Sequence, residues 1–215
     1  MMNQTMIKRY ALFLCGLLIN AFGIALITKA GIGTSPISSV PYVLSLSFAH
    51  LSFGLWTFLI NMGFIVIQMI LLKKEFERIQ WFQIIVNIVF SALIDLAMTL
   101  LVFLEPSRLI SKIVCLVAGC AFLGFGVSLE VAPQVIMVPG EGIVHAMTKV
   151  TNKSFATIKN CFDLSLMLIS GILSIVCFGS FQGVGAGTIM AAVLVGRFVA
   201  LSKKSGIVQY ASSLS

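Results

Sequence analysis

The chain has 215 residues, 59% of them hydrophobic and only 10% charged, with a mean hydropathy of +1.10. A soluble domain carries about 25% charged residues, so this chain lacks the polar surface to cover itself with water and reads as one membrane domain, residues 1–215. Its net charge of +7 does not point to nucleic acid, because the basic residues fall between apolar runs rather than in one stripe.

Lys8 and Arg9 precede the first apolar run, residues 10–28. Cys15 invites a lipoprotein reading, but Leu14 before it is not small and no Ala-x-Ala site follows, so the run is read as a retained first helix. A span needs about 20 apolar residues. Six runs qualify: 10–28, 53–72, 81–104, 109–129, 155–178 and 183–201. Two shorter runs, 37–49 and 140–150, accompany the Gly/Pro segments "GIGTSPISSVP" and "VAPQVIMVPG". Both are too short to cross. They read as re-entrant or interfacial helices, or as short helices packed inside the bundle. The fold class expected is therefore all-α: a polytopic bundle of six transmembrane helices plus two short helices. Cys15, Cys115, Cys120, Cys161 and Cys177 all lie in apolar runs without a CxxC or disulfide spacing, and read as packing residues.

Lys8, Arg9, Lys73, Lys74, Arg78, Lys149, Lys153, Lys203 and Lys204 fall on one side if the N-terminus is cytoplasmic; Lys29, Arg108 and Lys112 fall on the other. The excess places both termini in the cytoplasm. The two halves also resemble each other. "FGIALITKAGIGTSPISSVPYVL" from Phe22 and "FGVSLEVAPQVIMVPGEGIVHAM" from Phe125 each run from a helix end through a Pro/Gly segment into a short apolar helix. A helix opening "SFG" or "SFA" follows, which sets Asn61 opposite Asp163. Three spans per half is an odd number, so the second copy enters from the other side. This is a 3+3 inverted repeat, residues 7–104 and 109–204, as is common in secondary transporters.

The motifs "GIGTSP", "PGEGIVHAMTKVTNKSFATIKNCFDLSL" and "GVGAGTIMAAVLVGRF" resemble the YczE/YyaS/YitT-like group of bacterial integral membrane proteins, over about residues 10–201. The resemblance implies a multi-pass protein of the bacterial inner membrane, with Gly187–Thr188 matching a Gly-Thr start to the last span. Glu141 departs from the small residue and Trp of many relatives, which puts the pocket in doubt. No settled activity comes with the resemblance.

Ionisable groups in hydrocarbon cost about 2.5–3.5 kcal/mol on insertion scales, so they turn inward. In the fifth run Lys159, Asn160, Asp163, Met167 and Ser170 share one face. Lys159 and Asp163 can pair at i,i+4 and neutralise each other, or Asp163 can face a ligand. In the third run Asn87, Ser91, Asp95 and Thr99 form a stripe. Asp95 needs a partner, and Arg197 is the expected one, as a buried bridge pinning the halves together. Thr57, Asn61 and Gln68 lie on roughly one face of the second run. Gly16, Asn20 and Gly23 in the first, and Cys115, Gly119, Cys120 and Gly124 in the fourth, read as close-packing seams. Glu130, Glu141 and His145 flank the second Gly/Pro segment. Glu141 and His145 are four apart, too little for a metal site, so no metal or cofactor is expected. His50 reads as interfacial.

The expected function is a small-molecule transporter or carrier, with Thr34, Ser35, Ser38, Asn61, Glu141 and Asp163 as candidate ligand-binding residues. The alternatives are a non-transporting membrane protein that modulates a partner, and a substrate-binding subunit of a larger transporter. An enzyme is not expected: HExxH, GxSxG and Walker motifs are all missing. The lipid bilayer and a small-molecule substrate are the partners, with a homodimer or partner subunit admitted by the small residues 183–188.

Overall fold

In a computed structural model the described residues, 4–214, are helical apart from turns and short loops; residues 1–3 and 215 of the expected domain lie outside them. The order is α1 (Gln4–Lys29), α2 (Pro36–Ser47), α3 (Phe53–Leu72), α4 (Phe82–Leu100), α5 (Leu109–Val131), α6 (Pro139–Thr151), α7 (Phe155–Phe178), α8 (Ala186–Ser202) and α9 (Gly206–Ser213). Helices α1, α3, α4, α5 and α7 are long and apolar enough to cross a membrane. The expected sixth span, 183–201, becomes α8, which at 17 residues is short, and α9 follows beyond it at a bend of 70°. The bend falls at Lys203, Lys204 and Ser205, which follow the apolar run. Counted as one broken span, the pair makes six.

The two short helices form where expected, for a local reason. Each begins with proline in its first turn, Pro36 in α2 and Pro139 in α6, where a missing N–H costs nothing. Neither lies on the outside of the bundle. Helix α2 packs on α7, and α6 packs on α3. Val40, Phe64, Ile143, Val144, Ile158, Phe162 and Leu166 make one apolar cluster from these four helices. Their first turns meet: a Cβ on Gly140 would strike the Ile37 side chain.

The centre of the bundle is the antiparallel pair α1 and α5. Glycines let the backbones touch. A Cβ on Gly126 would come 2.5 Å from the Asn20 nitrogen, one on Gly16 2.6 Å from the Glu130 nitrogen, and one on Gly119 2.7 Å from the Ile27 nitrogen. Gly23 meets Leu123 in the same way. Helix α4 flanks α1, and α8 flanks α5.

Several basic segments gather at one end of the bundle. Lys149, late in α6, bridges to Glu75 in the α3–α4 turn at 2.8 Å, and the Glu75 carboxylate holds the Lys149 ammonium above its ordinary pKa. Arg9 of α1 donates to the Pro133 and Gln134 carbonyls between α5 and α6.

Candidate functional site

The segment "GIGTSP" leaves α1 through Gly31 and Gly33, both at positive φ (69° and 136°), a region that favours glycine. It then runs against the start of α8. The Gly187 N–H donates to the Ile32 carbonyl at 2.9 Å, and the Thr34 N–H donates to Thr188 Oγ1 at 3.2 Å. Thr34 Oγ1 lies 2.7 Å from Thr28 Oγ1, and Ser35 donates to Ser38 Oγ at 2.9 Å. All of these hydroxyl residues are buried. A half-open cavity of about 530 Å³ lies beside them. Its walls are Thr28, residues 31–33, Tyr42, Leu46 and residues 181–186. Two Gly-rich loops from the two halves of the sequence thus form one cavity, with α8 presenting its N-terminal turn to it.

A second polar group lies around the first turn of α6. Glu130, at the end of α5, is 1% exposed and accepts from Asn20 Nδ2 of α1 at 3.0 Å. Glu141, in the first turn of α6, lies between Glu130 and the α7 pair Lys159–Asp163, which closes at 3.0 Å. Glu141 thus feels the charge of Glu130 on one side and of the Lys159–Asp163 pair on the other.

The expected ligand residues separate into three places. Thr34, Ser35 and Ser38 stand together beside the cavity. Glu141 and Asp163 meet through Lys159. Asn61 is sealed in the α3–α4 seam, where its Nδ2 donates to Asn87 Oδ1 at 2.8 Å and Asn87 donates on to the Phe58 carbonyl at 3.0 Å. Gln68 and Gln83 pair further along, and Gln68 also donates to the Pro139 carbonyl at 3.2 Å.

The expected Asp95–Arg197 bridge does not form. Asp95 accepts from the Ser52 hydroxyl at 2.5 Å and the Gly54 N–H at 2.7 Å, at the start of α3. The unsatisfied N–H groups and positive dipole of that helix end supply the counter-charge that Arg197 was expected to give. Arg197 is exposed on α8, whose neighbours Phe198 and Val199 face Gly124 of α5 instead. Beside Asp95 a shallow hollow of about 290 Å³ separates α3 from α4.

Sequence reasoning left Thr28, Asn20 and Glu130 out of the candidate site. Thr28 ends the first apolar run, where a hydroxyl is unremarkable. Asn20 sits in a small-residue stripe that reads as packing. Glu130 closes a span, and the signal available was its place one loop before a second acid, Glu141.

Similarity to known proteins agrees with this architecture. The chain is 26% identical over 209 residues to "Uncharacterized membrane protein YczE" of Bacillus subtilis (strain 168), covering 96% of this chain and 90% of the relative. It is 25% identical over 199 residues to "Uncharacterized protein YyaS" of the same organism, covering 89% and 90%. No solved structure matches. Residues 7–204 match the family described as "Family of unknown function (DUF6198)", and the chain belongs to that family of YczE- and YyaS-like proteins, as an all-helical integral membrane protein with five or six spans.

Proposed function

We propose that the protein is a small-molecule carrier built from two inverted repeats, with its ligand site at the cavity formed by the two Gly-rich loops. The repeat reading is supported by the α1–α5 contacts. The offset that takes Phe22 to Phe125 also takes Gly16 to Gly119, Asn20 to Leu123, Gly23 to Gly126, Ile27 to Glu130, Pro36 to Pro139 and Ile37 to Gly140. Gly16 against Glu130 thereby answers to Gly119 against Ile27, and Gly126 against Asn20 answers to Gly23 against Leu123. The helices run antiparallel, as a two-fold axis across them requires. In this reading α2 and α6 are re-entrant half-helices whose N-termini meet near the midplane, a device of secondary transporters. The gathered basic ends, joined by Lys149–Glu75 and Arg9, face the cytoplasm of a bacterial cell.

The observation that carries the carrier reading is the cavity of about 530 Å³, which lies at the end of α1 away from Arg9. Thr28, Tyr42, Phe181 and the α8 N-terminus in its wall suit a small polar molecule with an anionic or acceptor group and an apolar part. Below it, α2 and α6 close the path. Rocking one repeat against the other would open the second side.

The test is uptake from a defined metabolite mixture into proteoliposomes, read by mass spectrometry against empty vesicles. Leu46→Trp, which fills the cavity away from the helix seams, accompanies it. A compound retained by the wild type and lost in the variant supports the reading. No compound retained above empty vesicles overturns it in favour of a protein that modulates a partner, or of a binding subunit that needs another module.

A further inference from the structure

We propose that the Glu130 carboxyl, with the Asn20 carboxamide as its hydrogen-bond partner, is a proton-binding site at the α1–α5 seam. Four observations meet here. Glu130 is 1% exposed and Asn20 is 4% exposed. Among the described residues no ion pair reaches Glu130. An ionised carboxylate buried without a cation is costly, and a proton is the smallest counter-ion that removes the cost. Asn20 Nδ2 donates to Glu130 Oε2 at 3.0 Å while Asn20 Oδ1, equally buried, has no partner. That carboxamide suits both forms of the acid. It donates through Nδ2 to the carboxylate; turned over, it accepts through Oδ1 from the O–H of the protonated acid.

The surroundings are charged on one side only. From α1, Arg9 is engaged by the Pro133 and Gln134 carbonyls. From α6, Glu141 faces Glu130, and beyond it the α7 groups Lys159 and Asp163 bond each other. Helix α8 brings Phe198 and Val199 to α5, with Arg197 exposed; α9 carries no charge, and Lys203 and Lys204 before it are exposed. The Lys159 ammonium serves Asp163 and Glu141, and Glu130 has only the carboxyl of Glu141 as a charged neighbour.

Packing does not require the pair. The counterpart of Asn20 beside Glu130 is Leu123 beside Ile27, two apolar side chains at the same kind of glycine contact. The seam therefore closes with hydrocarbon at one end and with an acid and an amide at the other. An acid placed where a leucine and an isoleucine serve the fold is there for its proton.

The experiment is infrared difference spectroscopy of the full chain in lipid vesicles between acidic and alkaline pH. A carboxylic-acid C=O band that shifts in heavy water and falls as pH rises is expected in the wild type, in Asp163→Asn and in Glu141→Gln, and is expected to be lost in Glu130→Gln. Asn20→Leu, which installs the counterpart's side chain, keeps the band but moves it toward the position of a carboxyl with fewer hydrogen bonds, since only the Val138 backbone then remains as a partner. This second variant decides the matter if Glu130→Gln does not fold. The same titrating band in wild type and Glu130→Gln, no titrating band in the wild type, or a band unmoved in Asn20→Leu overturns the proposal. None of these readouts requires transport.

Discussion

Gly126→Ala and Gly63→Ala are the same chemical change in two helices, and the structure sends them in opposite directions. At Gly126 the new Cβ would lie 2.5 Å from the Asn20 nitrogen and 2.8 Å from its Cα, where ordinary contact begins at 3.4 Å. Both neighbours are backbone, so relief requires the whole α1–α5 seam to part. Overpacking of this kind costs about 1–3 kcal/mol, and backbone on both sides argues for the upper end. The better helix propensity of alanine returns about 1 kcal/mol, leaving a net loss of about 2 kcal/mol. At Gly63 nothing lies within 4 Å of the new methyl group; only the gain of about 1 kcal/mol remains. The two variants should differ by about 3 kcal/mol. At about 2–4 °C per kcal/mol for a chain of this length, thermal unfolding in detergent should separate their Tm values by about 6–12 °C, with Gly126→Ala the lower. Equal Tm values would refute the claim that α1 and α5 touch through their backbones.

Asp95→Asn should lower Tm, because the α3 N-terminus loses its anionic acceptor, worth about 0.3–1 kcal/mol, whereas Arg197→Gln should leave Tm unchanged; a matching loss in both would restore the inter-repeat bridge. Asn61→Leu and Asn87→Leu should be coupled by about 0.6 kcal/mol in a double-mutant cycle of detergent unfolding, the scale found for hydrogen bonds between membrane helices; strict additivity would place the two amides apart. Gly33→Ala should lower Tm more than Gly31→Ala, since both sit at positive φ but only the Gly33 methyl would collide with Thr188, at 2.5 Å from its Oγ1. The Tm lost in Glu75→Gln should be the same at neutral pH and at pH 9. The Lys149 pKa is raised, so its contribution is already complete below the unfolded-state pKa of about 10.4 and is lost only as pH climbs through the still higher folded value.

The long spans were legible because length and hydropathy alone decide whether a helix can satisfy its backbone in hydrocarbon. The short helices α2 and α6 were legible as well: proline at the first turn and a run of about a dozen apolar residues are local facts. The helix openings "SFG" and "SFA" were readable too, and there Ser52 and Ser154 accept from the N–H three residues on. The same local reading put Lys159 and Asp163 on one face, four apart, and the structure closes that pair.

Partners across the fold were a different matter. Asp95 was assigned to Arg197 because opposite charge is the only cue that a sequence offers; the structure gave it the backbone end of α3, which carries no letter of its own. Asn20 and Glu130 are 110 positions apart, and Thr34 and Thr188 are 154 apart. Each residue looks ordinary in its own segment. Apolar periodicity is also a poor guide inside a membrane, where lipid-facing and core-facing positions are both hydrocarbon. The sequence by itself determined that this chain is a bundle of membrane helices with two short, proline-started helices between them. Only the tertiary structure decided which distant polar groups meet; for Asn20 and Glu130 the meeting depends on the antiparallel approach of α1 and α5. Glycines allow that approach, and no residue shows it until both helices are in place.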